Sequence, residues 1–231
     1  AAGACASGMR AALRHRGIDD VTVLAWAGDG GTYDIGLQSL SGAFERGDDI
    51  LYVCYNNEMY SNTGIQRSGA TPKHAWTTTT WSGKPQARKD MLSIVRAHRP
   101  PYLATASVGY PDDLYAKAMR AKGLRGPRYI EIISPCPPGW KFETDLTTTL
   151  GRLAVETGLW PLYEEVDGAR RYTGISKQHF TGTREFKPVD EYLKKQGRFK
   201  HLFDPLEKTE VVDSIATEVR AWWDAARNTV G

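Results

Sequence analysis

Two short runs hold the residues best suited to chemistry. Gly28-Asp29-Gly30-Gly31 sets one carboxylate among glycines, and Asn56-Asn57-Glu58-Met59-Tyr60-Ser61-Asn62-Thr63-Gly64 opens on two amides. The first follows V-T-V-L-A-W-A (21–27) and the second follows I-L-Y-V-C-Y (50–55), both apolar runs of strand length. Asp29 and Asn57 are thereby expected at the carboxyl ends of two strands, 28 residues apart, which leaves room for a crossover helix. Open α/β sheets bind ligands at that end. A carboxylate and an amide oxygen are hard donors of the kind Mg²⁺ takes, usually beside substrate phosphates. The glycines let backbone N–H groups approach such phosphates, and a helix expected from about Ile35 points its amino end there. On residue type alone, Asp29 reads equally well as an Asp-Gly turn residue and Asn57 as a loop or capping amide.

The elements that must position these residues alternate in type. Helices are expected over about 2–15, 36–46 (stopped by Gly47), 88–98 and 112–122, with strands over 21–27, 50–55, 102–107 and 128–134. That alternation predicts an α/β fold with a doubly wound parallel sheet covered on both faces. Residues 56–87 read as one long polar loop, with four threonines at 77–80. A loop of that length in a compact domain is usually functional or disordered, and its start at the candidate metal site favours function. Beyond Cys136 the alternation weakens. A helix near 147–157, a hairpin at Asp167-Gly168, a loop and two more helices are expected, the last an amphipathic Val211–Arg227 with Trp222 and Trp223 on roughly one face.

With 231 residues, 25% charged and 41% hydrophobic, the chain is composed like a soluble globular protein. Its net charge of +3 is dispersed and argues for neither nucleic acid nor membrane. There is no run of 18 apolar residues and no secretory signal. Three unpaired cysteines, Cys5, Cys54 and Cys136, then argue for reduced thiols in a cytoplasm. The five histidines lack zinc spacing, and neither a Walker loop nor a G-x-S-x-G elbow occurs.

Five ordered blocks narrow the reading: G-D-G-G-T-Y-D-I-G-L-Q-S-L-S-G-A-F-E-R-G (28–47), N-N-E-M-Y-S-N-T-G-I-Q-R-S-G-A-T-P (56–72), S-P-C-P-P-G-W (134–140), L-A-V-E-T-G-L-W-P-L-Y-E (153–164) and P-V-D-E-Y-L-K-K-Q-G-R-F (188–199). They resemble the β subunit of pyruvate:ferredoxin oxidoreductase, a thiamine-diphosphate enzyme, from the first residues to about Phe203. The resemblance implies the diphosphate-binding domain of that fold, over 1–145, and a C-terminal extension over 146–231 packed on the same domain and on partner subunits. It implies CoA-dependent oxidative decarboxylation of a 2-oxoacid, pyruvate first among them, with electrons passed through iron–sulfur clusters to ferredoxin. Implied partners are a pyrimidine-domain α subunit, which supplies the activating Glu, and γ and ferredoxin-like δ subunits.

Carried over residue by residue, Gly28, Asp29, Gly30, Gly31 and Thr63 would face thiamine diphosphate. Mg²⁺ would take Asp29, the Asn57 side chain, where some members carry Thr, and the Met59 carbonyl. Asn62 would stand near the thiazolium and the substrate, as the catalytic residue. Cys136 would be one ligand of a [4Fe–4S] cluster. Its other thiolates would come from an amino-terminal C-x-x-C segment ahead of Ala1, which makes the chain read as truncated. Cys5 and Cys54 match no role and are expected in the core. Two other classes fit less of the pattern. A different thiamine decarboxylase or carboligase would not need the Cys136 and Q-G-R-F blocks, and a non-catalytic assembly subunit would not need Asp29, Asn57 and Asn62.

Overall fold

The structure, a computed structural model, describes residues 2–228. Four parallel strands form the body of its sheet: β1 (Val23–Gly28), β2 (Ile50–Asn56), β4 (Arg128–Ile133) and β3 (Tyr102–Ser107), side by side in that order. β3 and β4 are buried along their whole length, as parallel strands sandwiched between helices must be. α1 (Ala2–His15), α2 (Leu37–Glu45) and α3 (Met91–Ala97) cover one face through Ala6, Leu40, Phe44 and Met91. α4 (Pro111–Gly123) covers the other through Leu114 and Ala121. This is the doubly wound α/β arrangement the alternation predicts.

Register places the site. Gly28 pairs with Tyr55 across β1 and β2, so Asp29 and the Asn56-Asn57 pair leave the sheet side by side. α5 (Pro137–Trp140) follows β4 and caps the same end.

Beyond α5 the chain returns to the same sheet. After α6 (Thr147–Glu156), β5 (Tyr163–Val166) pairs antiparallel with β3, and β6 (Ala169–Tyr172) pairs with β5. The joining Asp167-Gly168 has both φ angles positive, as a type I′ hairpin turn needs. The sheet is therefore mixed at this edge. α7 (Gly174–Phe180), α8 (Val189–Leu193), a 3₁₀ segment at Gly197–Leu202 and α9 (Thr209–Asn228) follow, two more helical pieces than expected. A second core joins Met59, Ile133 and Trp140 to Trp160, Tyr192, Phe199 and Ile215, so residues beyond 145 close over the loop at the strand ends. In α9, Trp223 is fully buried against Tyr172 and Phe186, while Trp222 is half exposed. The pair does not share one face, because adjacent helical residues lie about 100° apart.

The loop after β2 runs on to Asp90, and α3 is correspondingly shorter than expected. It is packed rather than loose: Ser68, Ala70, Thr71, Ala75, Thr77 and Lys84 are all buried. The four threonines form a tight turn, Thr77 Oγ1 to Thr80 Oγ1 at 2.7 Å. Burial lowers Lys84 to a pKa of about 8, and its ammonium donates to the carbonyls of Thr71 (2.7 Å) and Ala87 (3.1 Å). Among the described residues no helix is long and apolar enough to cross a membrane.

Candidate active site

Helical backbone starts directly after β1. Asp29 is already in the right-handed helical region, and a π-helical turn at Gly30–Asp34 leads into α2, five residues ahead of the expected start. Thr32 Oγ1 donates to the Gly28 carbonyl at 2.8 Å, which fixes that turn against the strand end. Gly30 is required here: a Cβ would lie 2.2 Å from the Tyr60 ring, whose hydroxyl donates to Asp34 Oδ2 at 3.1 Å. Gly31 is different, since its nearest neighbour would be Ala27 Cβ at 3.9 Å. Its open side is the space a phosphate would use.

The turn carries Asp29 into the interior, 1% exposed, where Ser68 Oγ donates to Oδ2 at 2.5 Å. Burial pushes its carboxyl up to about 7, opposed by the Ser68 hydroxyl and the Asp29 and Asn57 backbone amides and aided by the negative charge of Glu58. A desolvated carboxylate without a cation is the group a divalent ion stabilises, so this site fits Mg²⁺. Among the described residues no three His, Cys, Asp or Glu side chains gather as a metal cage. An ion here would therefore rely on amide and backbone oxygens and on its ligand's phosphates, which is how Mg²⁺ is usually held.

Asn56 and Asn57 part at the end of β2. Asn56 turns inward, its Nδ2 donating to Glu131 Oε1 at 2.7 Å and its Oδ1 accepting the Glu58 N–H at 2.9 Å. Glu131 is fully buried, its acidity weakened by that burial, and it also accepts from the hydroxyls of Tyr33 and Tyr129. Asn57 turns outward. Its Oδ1 accepts the Met59 N–H at 3.3 Å, its Nδ2 donates to Ser61 Oγ at 3.0 Å, and its carbonyl accepts the Trp140 indole N–H at 2.7 Å. Met59 is buried with its sulfur against Gly139, where any Cβ would lie 2.2 Å from it.

Cys136, half-buried at the start of α5, has its Sγ 3.4 Å from Ser61 Oγ. The structure thus brings Asp29, Asn57, Met59 and Cys136 onto one end of the sheet. Asn62 and Thr63 stand on an exposed tip, with Thr63 Oγ1 donating to Gln66 at 2.6 Å. Cys54 is buried in β2 as expected. Cys5 is exposed on α1 instead of buried, because it lies on the helix face turned away from α2. Sequence reasoning missed Ser68, Glu58, Glu131 and Arg198. Ser68, Glu58 and Arg198 lie inside the quoted S-G-A-T-P, N-N-E-M and Q-G-R-F runs, but nothing local assigned them a role, and Glu131 lies outside every quoted run.

Comparison with known proteins places the chain in a family. Residues 1–132 match the family described as "Thiamine pyrophosphate enzyme, C-terminal TPP binding domain". The pyruvate synthase subunit PorB of Methanothermobacter marburgensis is 51% identical over 226 residues, 95% of this chain and 76% of the relative. The ketoisovalerate oxidoreductase subunit VorB of Pyrococcus abyssi is 48% identical over 210 residues, 87% of this chain and 66% of the relative. The chain belongs to the 2-oxoacid:ferredoxin oxidoreductase β-subunit family of thiamine-diphosphate-binding proteins. A solved 2-oxoglutarate:ferredoxin oxidoreductase from Magnetococcus marinus, at 19% identity and a TM-score of 0.56 over 91% of this chain and 72% of that one, shares the fold.

Proposed function

We propose that this chain is the diphosphate-binding subunit of a CoA-dependent 2-oxoacid:ferredoxin oxidoreductase in the cytoplasm, with pyruvate as the 2-oxoacid. The observation that carries the reading is Asp29, a carboxylate buried beside Asn57 at the strand ends with a pKa raised to about 7. Asp29, the Asn57 side chain and the Met59 carbonyl would hold Mg²⁺, with the backbone of Gly28, Gly30 and Gly31 beside the diphosphate and open space for it at Gly31. When bound, thiamine diphosphate supplies the electron sink that lets CO₂ leave a 2-oxoacid. The protein's part is to bind, orient and keep water out. Ser68 fixes one Asp29 oxygen, Trp140 fixes the Asn57 carbonyl, and Tyr60 packs against Gly30. Asn62 and Thr63, on their exposed tip, would meet substrate and cofactor where the pyrimidine-domain subunit completes the pocket. Cys136 brings a half-buried thiol to this site, beside Ser61. The described residues do not by themselves fit a [4Fe–4S] cluster, so the proposal is limited to one ligand from this chain, beside γ, δ and ferredoxin as electron-carrying partners.

The test uses the assembled multi-subunit enzyme. Asp29→Ala should abolish Mg²⁺-dependent thiamine diphosphate binding by calorimetry, and Cys136→Ala should lower the iron content while leaving that binding intact. Normal cofactor binding by the Asp29 variant would refute the metal assignment, and unchanged iron would make Cys136 an ordinary packed thiol.

A further inference from the structure

Glu58 sits between the two residues assigned to the metal, in an unusual state. Its φ is +62°, in the left-handed region that residues with a Cβ seldom adopt. Its side chain is nevertheless buried. Three contacts hold it there. Its N–H donates to Asn56 Oδ1, its carbonyl accepts the Thr71 hydroxyl at 2.5 Å, and its carboxylate meets the Arg198 guanidinium at 2.7 Å. Arg88 approaches the second carboxylate oxygen at 3.4 Å.

Arg198 is fully buried and comes from the Q-G-R-F run 140 residues away. It does more than neutralise Glu58. Its Nε donates to Gln196 Oε1 at 2.8 Å, and its guanidinium carbon lies 3.7 Å from the centre of the Trp140 ring. Trp140 in turn donates its indole N–H to the Asn57 carbonyl. One guanidinium therefore holds the metal loop from both sides, through the Glu58 carboxylate and through the ring that grips Asn57.

A buried ion pair is a poor source of net stability, because desolvation offsets the attraction, so its presence calls for another role. We propose that Arg198 is a positioning residue: its contacts with Glu58 and Trp140 hold the backbone of 57–59 so that the Asn57 side chain and the Met59 carbonyl converge on the metal. This rests on the reading of Asp29, Asn57 and Met59 as the Mg²⁺ site. It extends that reading to a pair that touches neither metal nor cofactor. A planar, forked cation that stacks and pairs at once is a role lysine cannot fill.

The test measures Mg²⁺-dependent thiamine diphosphate affinity and thermal stability in the assembled enzyme. Arg198→Met should weaken affinity roughly ten- to hundredfold, the range found when groups supporting metal ligands are removed. It should also lower the melting temperature, since buried Glu58 is left with only the longer Arg88 contact. Glu58→Gln combined with Arg198→Met removes both charges and should recover most of the stability but not the affinity. Arg198→Lys keeps the charge without the fork and should remain stable while binding more weakly than the parent. Parental affinity in the double variant or in Arg198→Lys would overturn the proposal and leave the pair a packing feature. If the parental enzyme itself bound no thiamine diphosphate, the underlying functional reading would fall instead, so the two failures are distinguishable.

Discussion

At the scale of single residues, Asp29 costs the fold stability wherever it is ionised. A carboxyl whose pKa is about 7 in the fold, against an ordinary value of 3.8, binds its proton more tightly when folded. Its contribution to stability is therefore fully present below pH 3.8 and is lost as pH rises through 7, a loss of roughly 4 kcal/mol at about 1.4 kcal/mol per unit. An amide at this position would carry no such charge. In metal-free protein, Asp29→Asn should thus raise the urea midpoint at pH 8 and do so much less at pH 4.5, while it abolishes metal retention. An equal effect at both pH values would show that the buried charge is not the cause. Asp29 and Asn57 were legible in the sequence because each follows an apolar run that ends in a turn. Their supports were not: Ser68 reaches Asp29 across 39 residues and Arg198 reaches Glu58 across 140. No periodicity or spacing rule encodes such contacts.

At the scale of elements, the strand-to-helix turn shows why one glycine is structural and its neighbour need not be. Both belong to the π-helical turn, so neither needs a left-handed backbone. The difference is the neighbours. Gly30→Ala would drive a methyl into the Tyr60 ring and loosen the Tyr60–Asp34 hydrogen bond, an overpacking cost of about 1–3 kcal/mol. Gly31→Ala meets nothing closer than 3.9 Å and should leave stability within about 0.5 kcal/mol. Measured on both variants, chemical denaturation should separate them. A loss of cofactor affinity in Gly31→Ala alone would then report a phosphate lying against that position. The four parallel strands were readable because each is a short apolar run of strand length, as strands covered on both faces are. The expected helix start at about 36 matches α2 at Leu37, but the π-helical turn ahead of it went unread, because a glycine pair reads as a turn, when here the absence of side chains lets helical backbone begin at once beneath Tyr60. The loop after β2 has no period to read, since its backbone bonds run across the loop and to other segments, as in Trp76 N–H to the Arg198 carbonyl at 2.9 Å.

At the scale of the whole molecule, the same loop divides into a part the chain completes itself and a part it leaves open. Its inner half is tied down: His74 N–H donates to the Lys84 carbonyl at 2.8 Å and Lys84 N–H to the Ala75 carbonyl at 3.0 Å, above a core shared with Trp140, Tyr192 and Phe199. Its tip at 61–64 is mostly exposed, and around the fold so are large apolar side chains, with Trp26 at 58%, Ile35 at 84% and Trp81 at 76%. The loop should therefore not exchange as one segment. In the isolated chain, the amides of His74, Trp76 and Lys84 should be protected from hydrogen exchange by their bonds and burial, while those of Asn62 and Thr63 exchange within the dead time. Adding the pyrimidine-domain subunit should slow the tip and leave the inner amides unchanged, because those amides are already bonded within the chain. A tip already protected in the isolated chain would mean that the pocket closes without a partner. A tip still exchanging freely in the full complex would place the subunit contact elsewhere on the chain.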